Sequence, residues 1–164
     1  PPAHYLGVAR SLLRELALDH EDLQGFLARV NSGLAAATFD GVDQYVDAGV
    51  LLPADGSVEW VGAGRCSGAI IRRDGVFQEF PAHGPPLGMM EGFLYGTDRM
   101  ELGAGDSVIV LSEVPSGVFR GAADLVASLR GKPVGEVVST LHKALARANP
   151  DAPGEASVLF VRRQ

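Results

Sequence analysis

Apolar residues recur with a helical period from the start of the chain. Leu6, Ala9, Leu12, Leu13 and Leu16 fall on one stripe of the segment Ala3 to Leu18, leaving Arg10, Arg14 and Glu15 for the opposite face. Such a segment is a helix lying on an apolar surface. Asp19 is the expected N-cap of a second helix, with Glu21 and Asp22 complementing the dipole in its first turn. Leu23, Phe26, Leu27, Val30 and Leu34 then share one face, which predicts helix over Leu23 to Ala36.

From Tyr45 the period changes. Tyr45 to Leu52 reads as a strand, Pro53-Ala54-Asp55-Gly56 supplies turn chemistry, and Ser57 to Gly62 is the return strand of a hairpin. Ser67 to Arg73 and Val76 to Phe80 form a second hairpin around Asp74-Gly75, a two-residue turn signal, so the strands read as a meander. Gly84-Pro85-Pro86-Leu87-Gly88 is a loop, because consecutive prolines remove ladder donors. Tyr95 to Leu102 and Ser107 to Leu111 are further strands around the turn Gly103-Ala104-Gly105-Asp106. Helices return at Ala122 to Arg130 and, after Gly131-Lys132-Pro133, at Val134 to Ala148, whose stripe is Val134, Val137, Val138, Leu141 and Leu145. Ala156 to Arg162 closes as a strand. This order predicts an α+β fold: antiparallel sheets covered by paired helices in a layered sandwich.

At 164 residues the chain suits one domain, 1–164, with a sizeable core. The 21 glycines and 10 prolines make up about 19% of it, above the roughly 12% of average usage, so many tight turns are expected. A formal charge of −6 argues against a nucleic-acid surface, and no apolar run approaches the length of a membrane span. Cys66 is the single cysteine, which excludes an internal disulfide framework and makes the cytoplasm the expected compartment. The chain opens on Pro1 and enters a helix at once, without the features of a signal peptide; it reads as a piece of a longer chain.

Candidate chemistry is thin. His4, His20, His83 and His142 do not pair with each other or with cysteine at zinc-ligand spacing, and His142 beside an apolar stripe reads as structural or superficial. Cys66 reads as a buried, inert thiol despite the neighbouring Arg65. Gly62, Gly64 and Gly68 have the wrong spacing and context for a dinucleotide loop and suit close packing between strands. Asp47 interrupts an apolar strand, Glu113 follows the apolar strand Val108 to Leu111, and Glu155 precedes the last strand. Three carboxylates so placed would make a hard-cation site if the fold brought them together.

Several stretches, in order, resemble one family. Val58-Glu59-Trp60-Val61-Gly62-Ala63-Gly64-Arg65 resembles the Tyr-Val-Asn-Ala-Gly-His stretch of the bacterial sporulation stage II E-type phosphatases, members of the metal-dependent PPM class that includes protein phosphatase 2C. Gly84-Pro85-Pro86-Leu87-Gly88 is similar to its Gly-Pro-Pro-Leu-Gly loop, and Leu102 to Ser107 to its Leu-x-x-Gly-Asp turn. Leu27, Val30, Asn31 and Leu34 match its Leu-x-x-Val-Asn-x-x-Leu pattern. The resemblance implies the PPM α-β-β-α sandwich with its first strands missing, this chain forming the C-terminal portion.

The family binds two Mn²⁺ or Mg²⁺ ions through aspartates, and a metal-bridging water attacks the phosphorus of phosphoserine or phosphothreonine. Here the matching positions are altered. Ser112-Glu113-Val114 stands for Thr-Asp-Gly, Gly154-Glu155 for Asp-Asp, and Arg65-Cys66-Ser67 for His-Pro-Pro; the family's upstream Asp-Gly and Asp-x-Ser-Gly-His-Gly motifs would precede Pro1 and are absent from this chain. Glu113 and Glu155 remain as metal-ligand candidates with carboxylates one methylene farther out, poorly suited to octahedral Mg²⁺. The expectation is a catalytically degenerate domain without a bound cofactor, acting through a protein partner or a second copy of itself in bacterial phospho-signalling. The alternative is a working Mn²⁺- or Mg²⁺-dependent serine/threonine phosphatase, completed by upstream residues and acting on an anti-sigma-factor antagonist in a partner switch.

Overall fold

The computed structural model describes residues 3–16, 22–37, 45–112, 116–148 and 158–163. They form two compact units. The first holds 1–65 and 82–100, the second 66–81 and 101–164.

In the first unit, helices α1 (Ala3–Leu16) and α2 (Leu23–Ala36) lie against strand β2 (Ser57–Ala63) of a three-stranded sheet ordered β1-β2-β5, with β1 at Ala48–Ala54 and β5 at Asp98–Glu101. Leu23, Phe26, Leu27, Val30 and Leu34 of α2 are buried with Ala9, Val61, Ala63, Leu87 and Tyr95. The α2 stripe is the one its spacing predicts. Its cap is not: Asp22, with extended backbone, accepts the Gly25 N–H and is the N-cap, because the first buried residue of the stripe is Leu23. Leu6 of the predicted α1 stripe is exposed instead. The proposed N-cap Asp19 lies outside the described residues.

β1 and β2 pair antiparallel from Ala48↔Ala63 to Ala54↔Ser57. The turn between them is tighter than Pro53 to Gly56, since Pro53 and Ala54 stay in an edge strand, where a missing N–H is tolerated. β1 also starts later than Tyr45: Val46 forms an isolated bridge to Leu87 rather than a place in the ladder.

In the second unit a four-stranded sheet runs β4-β3-β6-β7, with β3 at Cys66–Ile71, β4 at Phe77–Phe80, β6 at Ser107–Ser112 and β7 at Val158–Arg162; its pairings are antiparallel. Helices α3 (Ser116–Ser128) and α4 (Val134–Ala148) cover one face, burying Ala122, Val126, Val137, Leu141 and Leu145 against Ala69, Ile71, Ile109, Leu111 and Phe160. The alternate residues Ile70, Val108 and Val110 are buried too, which explains the unbroken apolar run of β6. Phe80 is paired with Gly68, and its ring occupies the space where a Gly68 Cβ would sit, 1.9 Å from it.

Two expectations about the strands need correction. The chain does not form a meander: it passes from β2 in one sheet to β3 in the other through Gly64-Arg65 alone, and it changes sheet again at β5 and β6. The Asp74-Gly75 hairpin has a three-residue loop, closed by the Arg72 N–H to Val76 C=O bond with Gly75 at φ 96°.

Candidate functional site

The carboxylates singled out from the sequence meet different fates. β6 ends at the half-buried Ser112, paired with Cys66 of β3. Glu113, Gly154 and Glu155 lie outside the described residues. Asp47 is described, immediately before β1, with its side chain 15% exposed. Its Oδ1 accepts the Arg65 backbone N–H at 3.1 Å and its Oδ2 faces the Arg65 guanidinium Nε at 3.4 Å.

Gly64 makes this pair possible. Its φ of 74° turns the chain between the sheets, and a Cβ there would fall 1.8 Å from Asp47 Oδ1. The Gly64 N–H donates to Gly84 C=O at 2.9 Å, and the His83 N–H to Gly62 C=O at 2.7 Å. The Gly-x-Gly-Arg stretch and the Gly-Pro-Pro loop are therefore stitched together through backbone. Gly62 N–H also donates to His83 Nδ1 at 3.3 Å, so the ring proton sits on Nε2 and points at Asp98 Oδ2, 3.0 Å away. With both nitrogens engaged, His83 is a strut between β2 and the start of β5.

Asn31 holds the other side of the loop. It sits on the apolar face of α2, fully buried; its Nδ2 donates to Met90 C=O and its Oδ1 accepts the Gly88 N–H, both at 2.8 Å. The Tyr95 hydroxyl donates to Pro85 C=O at 3.0 Å, and burial pushes that phenol up to about 12. In the sequence Asn31 stands out only as part of a pattern, and Tyr95 falls in a predicted strand. The signal for Asn31 was present, a polar residue at a core position of an otherwise apolar stripe.

The Leu-x-x-Gly-Asp turn is structural as well. Asp106 accepts from Gly103 N–H at 2.8 Å, Arg73 N–H at 2.9 Å and Arg72 Nη1 at 2.9 Å. Burial alone would raise its carboxyl, but these hydrogen bonds and the Arg72 charge outweigh it and hold the group below its ordinary value. Cys66 is buried, as expected.

The described donors do not suit a divalent cation. Asp47 spends its oxygens on Arg65, whose own positive charge repels Mn²⁺ or Mg²⁺, and among the described residues no group of three or more His, Cys, Asp or Glu side chains comes together.

The family model for Stage II sporulation protein E (SpoIIE) matches residues 1–164. The chain belongs to the SpoIIE family. Among solved structures it is similar to the phosphatase domain of the cell fate determinant SpoIIE from Bacillus subtilis, with 22% identity and a TM-score of 0.54 over 94% of this chain and 71% of that one. The SiaA-PP2C domain of Pseudomonas aeruginosa matches at 17% identity and a TM-score of 0.76, over 99% and 70%. The catalytic domain of the serine threonine protein phosphatase PstP in complex with two manganese ions matches at 16% and 0.68, over 95% and 78%. No curated protein matches by sequence. At these identities the likeness establishes the PP2C-type fold: two antiparallel sheets and four helices. Among the described residues no helix of this SpoIIE-family chain is long and apolar enough to cross a membrane.

Proposed function

We propose that this SpoIIE-family chain is a pseudophosphatase module of bacterial phospho-signalling, binding a protein partner and not hydrolysing phosphoesters. The observation that carries the reading is the Asp47–Arg65 pair. A guanidinium occupies the one described carboxylate of the three the sequence offered to a cation. Two altered sequence positions support it: Glu113-Val114 follows β6, and Gly154-Glu155 precedes β7, where the resemblance implies aspartates. The turns that build the fold are kept and used, as the bonding of Gly64, Gly88, Asn31 and Asp106 shows.

On this reading residues 1–164 form the C-terminal portion of a PPM-type domain, with a protein in a partner switch, or a second copy, as its target. A single cysteine, Cys66, suits a reducing cytoplasm.

The test compares wild type with Glu113→Ala in the full-length protein, assayed with Mn²⁺ and a phosphoserine peptide. Equal and negligible rates are expected. Wild-type turnover that falls by orders of magnitude on the substitution would establish the active phosphatase instead.

A further inference from the structure

The second unit carries a basic end that the proposed function has not used. It is built around the β3–β4 hairpin, at the end of the sheet away from Ser112: Ser107 pairs there with Ile71 and Arg162, whereas Ser112 pairs with Cys66. Arg72 and Arg73 flank the hairpin tip. Arg130, just past α3, donates to Arg73 C=O; Arg162 Nη1 donates to Lys132 C=O at 2.7 Å; the Arg163 guanidinium donates to Leu102 C=O. The stem of Arg73 lies along Gly105, where a Cβ would come within 3.4 Å of Arg73 Cδ, and the Gly105 N–H donates to Arg163 C=O at 3.0 Å. Turn, hairpin and strand end thus converge their cations.

The way these cations are anchored matters. A carboxylate partner cancels a guanidinium's charge, but a backbone carbonyl orients it and leaves the charge in place. Arg130, Arg162 and Arg163 have carbonyl anchors. Arg73 is exposed, and its guanidinium makes no hydrogen bond or ion pair among the described residues. Among the described residues only Arg72, on the buried Asp106, and Lys132, on Glu136 at 3.3 Å, face carboxylates. Arg72, Arg73, Arg130, Lys132, Arg162 and Arg163 outnumber the acids of this end, Asp74, Glu101, Asp106 and Glu136, in a chain of net charge −6. A cleft of about 640 Å³ opens among Arg72, Arg73, Asp74, Val76 and Asp106; the Asp106 carboxylate in it is already held by Arg72, and Val76, 57% exposed, gives it an apolar rim.

We propose that this basic end is a docking surface for an acidic protein segment. Charge complementarity selects an anion. The interspersed Asp74 and Glu101 would repel the continuous phosphates of a nucleic acid, whereas a peptide can place its carboxylates one by one on the arginines and set an apolar side chain on Val76. The surface works whether or not the domain hydrolyses phosphoesters.

The experiment measures binding to the full-length protein by fluorescence anisotropy, with a labelled twelve-residue Glu/Leu peptide as probe and a labelled single-stranded oligonucleotide as comparison. The peptide is expected to bind, and to weaken about tenfold when salt is raised from roughly 50 to 300 mM. Arg73→Glu, which removes no hydrogen bond of that side chain, should weaken it about tenfold, and Arg73→Glu with Arg130→Glu should abolish it. Reversing the exposed Arg10 and Arg14 of α1 changes net charge equally and should leave binding within about twofold. Circular dichroism confirms that each variant is folded. Absence of peptide binding, equal loss in both charge-reversed pairs, or tighter binding of the oligonucleotide would each overturn the proposal.

Discussion

Asp106 joins its own turn to the β3–β4 hairpin, accepting hydrogen bonds from Gly103, Arg72 and Arg73. Replacing it by Ala strands two backbone N–H groups and a partly buried guanidinium. The loss should be about 3 kcal/mol of unfolding free energy in a urea titration; a loss under about 1 kcal/mol would show that water replaces it freely. Because its folded-state carboxyl is held below the ordinary value of 3.8, its contribution is complete above the unfolded value. It is lost as pH falls from there through the folded one. Asp106→Asn, uncharged throughout, should therefore have a shallower loss of stability below about pH 4 than wild type. Tyr95 behaves in the opposite sense: one phenolate should appear near pH 12 in an ultraviolet titration and be missing from Tyr95→Phe. The turn containing Asp106 was legible from its glycines. Its dependence on Arg72, 34 residues away, was not, because only the β3–β6 register brings them together.

Elements with a strong period were readable, and those fixed by side-chain contacts were not. The stripes of α2 and α4 and the buried β6 follow from spacing alone. The stretch from Tyr95 to Thr97 alternates like a strand yet stays outside β5, because the Tyr95 hydroxyl is drawn to the Pro85 carbonyl. α3 begins at Ser116, ahead of the expected Ala122. Glycine substitutions separate the two situations. Gly64→Ala places a Cβ at positive φ against Asp47 and should cost about 2 kcal/mol or more. Gly7→Ala, exposed within α1 with nothing within 4 Å, should stabilise by about 0.5–1 kcal/mol. Thermal unfolding of both variants checks the contrast, and Gly64→Ala melting at the wild-type temperature would show that the β2–β3 crossing tolerates a side chain.

For the whole molecule, the fold was legible because its turn motifs recur in order along nearly the entire chain, whereas the state of the site depended on a contact. Asp47, an acid in an apolar strand, is one of three carboxylates that would form a cation site only if the fold gathered them; the structure gives it Arg65, 18 residues on, as partner. A metal that binds the native state raises stability by RT ln(1 + [L]/Kd). If the site holds Mn²⁺ only at about millimolar Kd, then roughly 1 mM Mn²⁺ adds about 0.4 kcal/mol, a shift of about 1–2 °C for a chain of this length. A micromolar site under the same conditions would add about 4 kcal/mol and shift melting by roughly 8–16 °C. The first result is expected, with no further change in Glu113→Ala. A large shift in wild type that disappears in Glu113→Ala would place a working ligand at Glu113 and return the chain to the metal-dependent phosphatases.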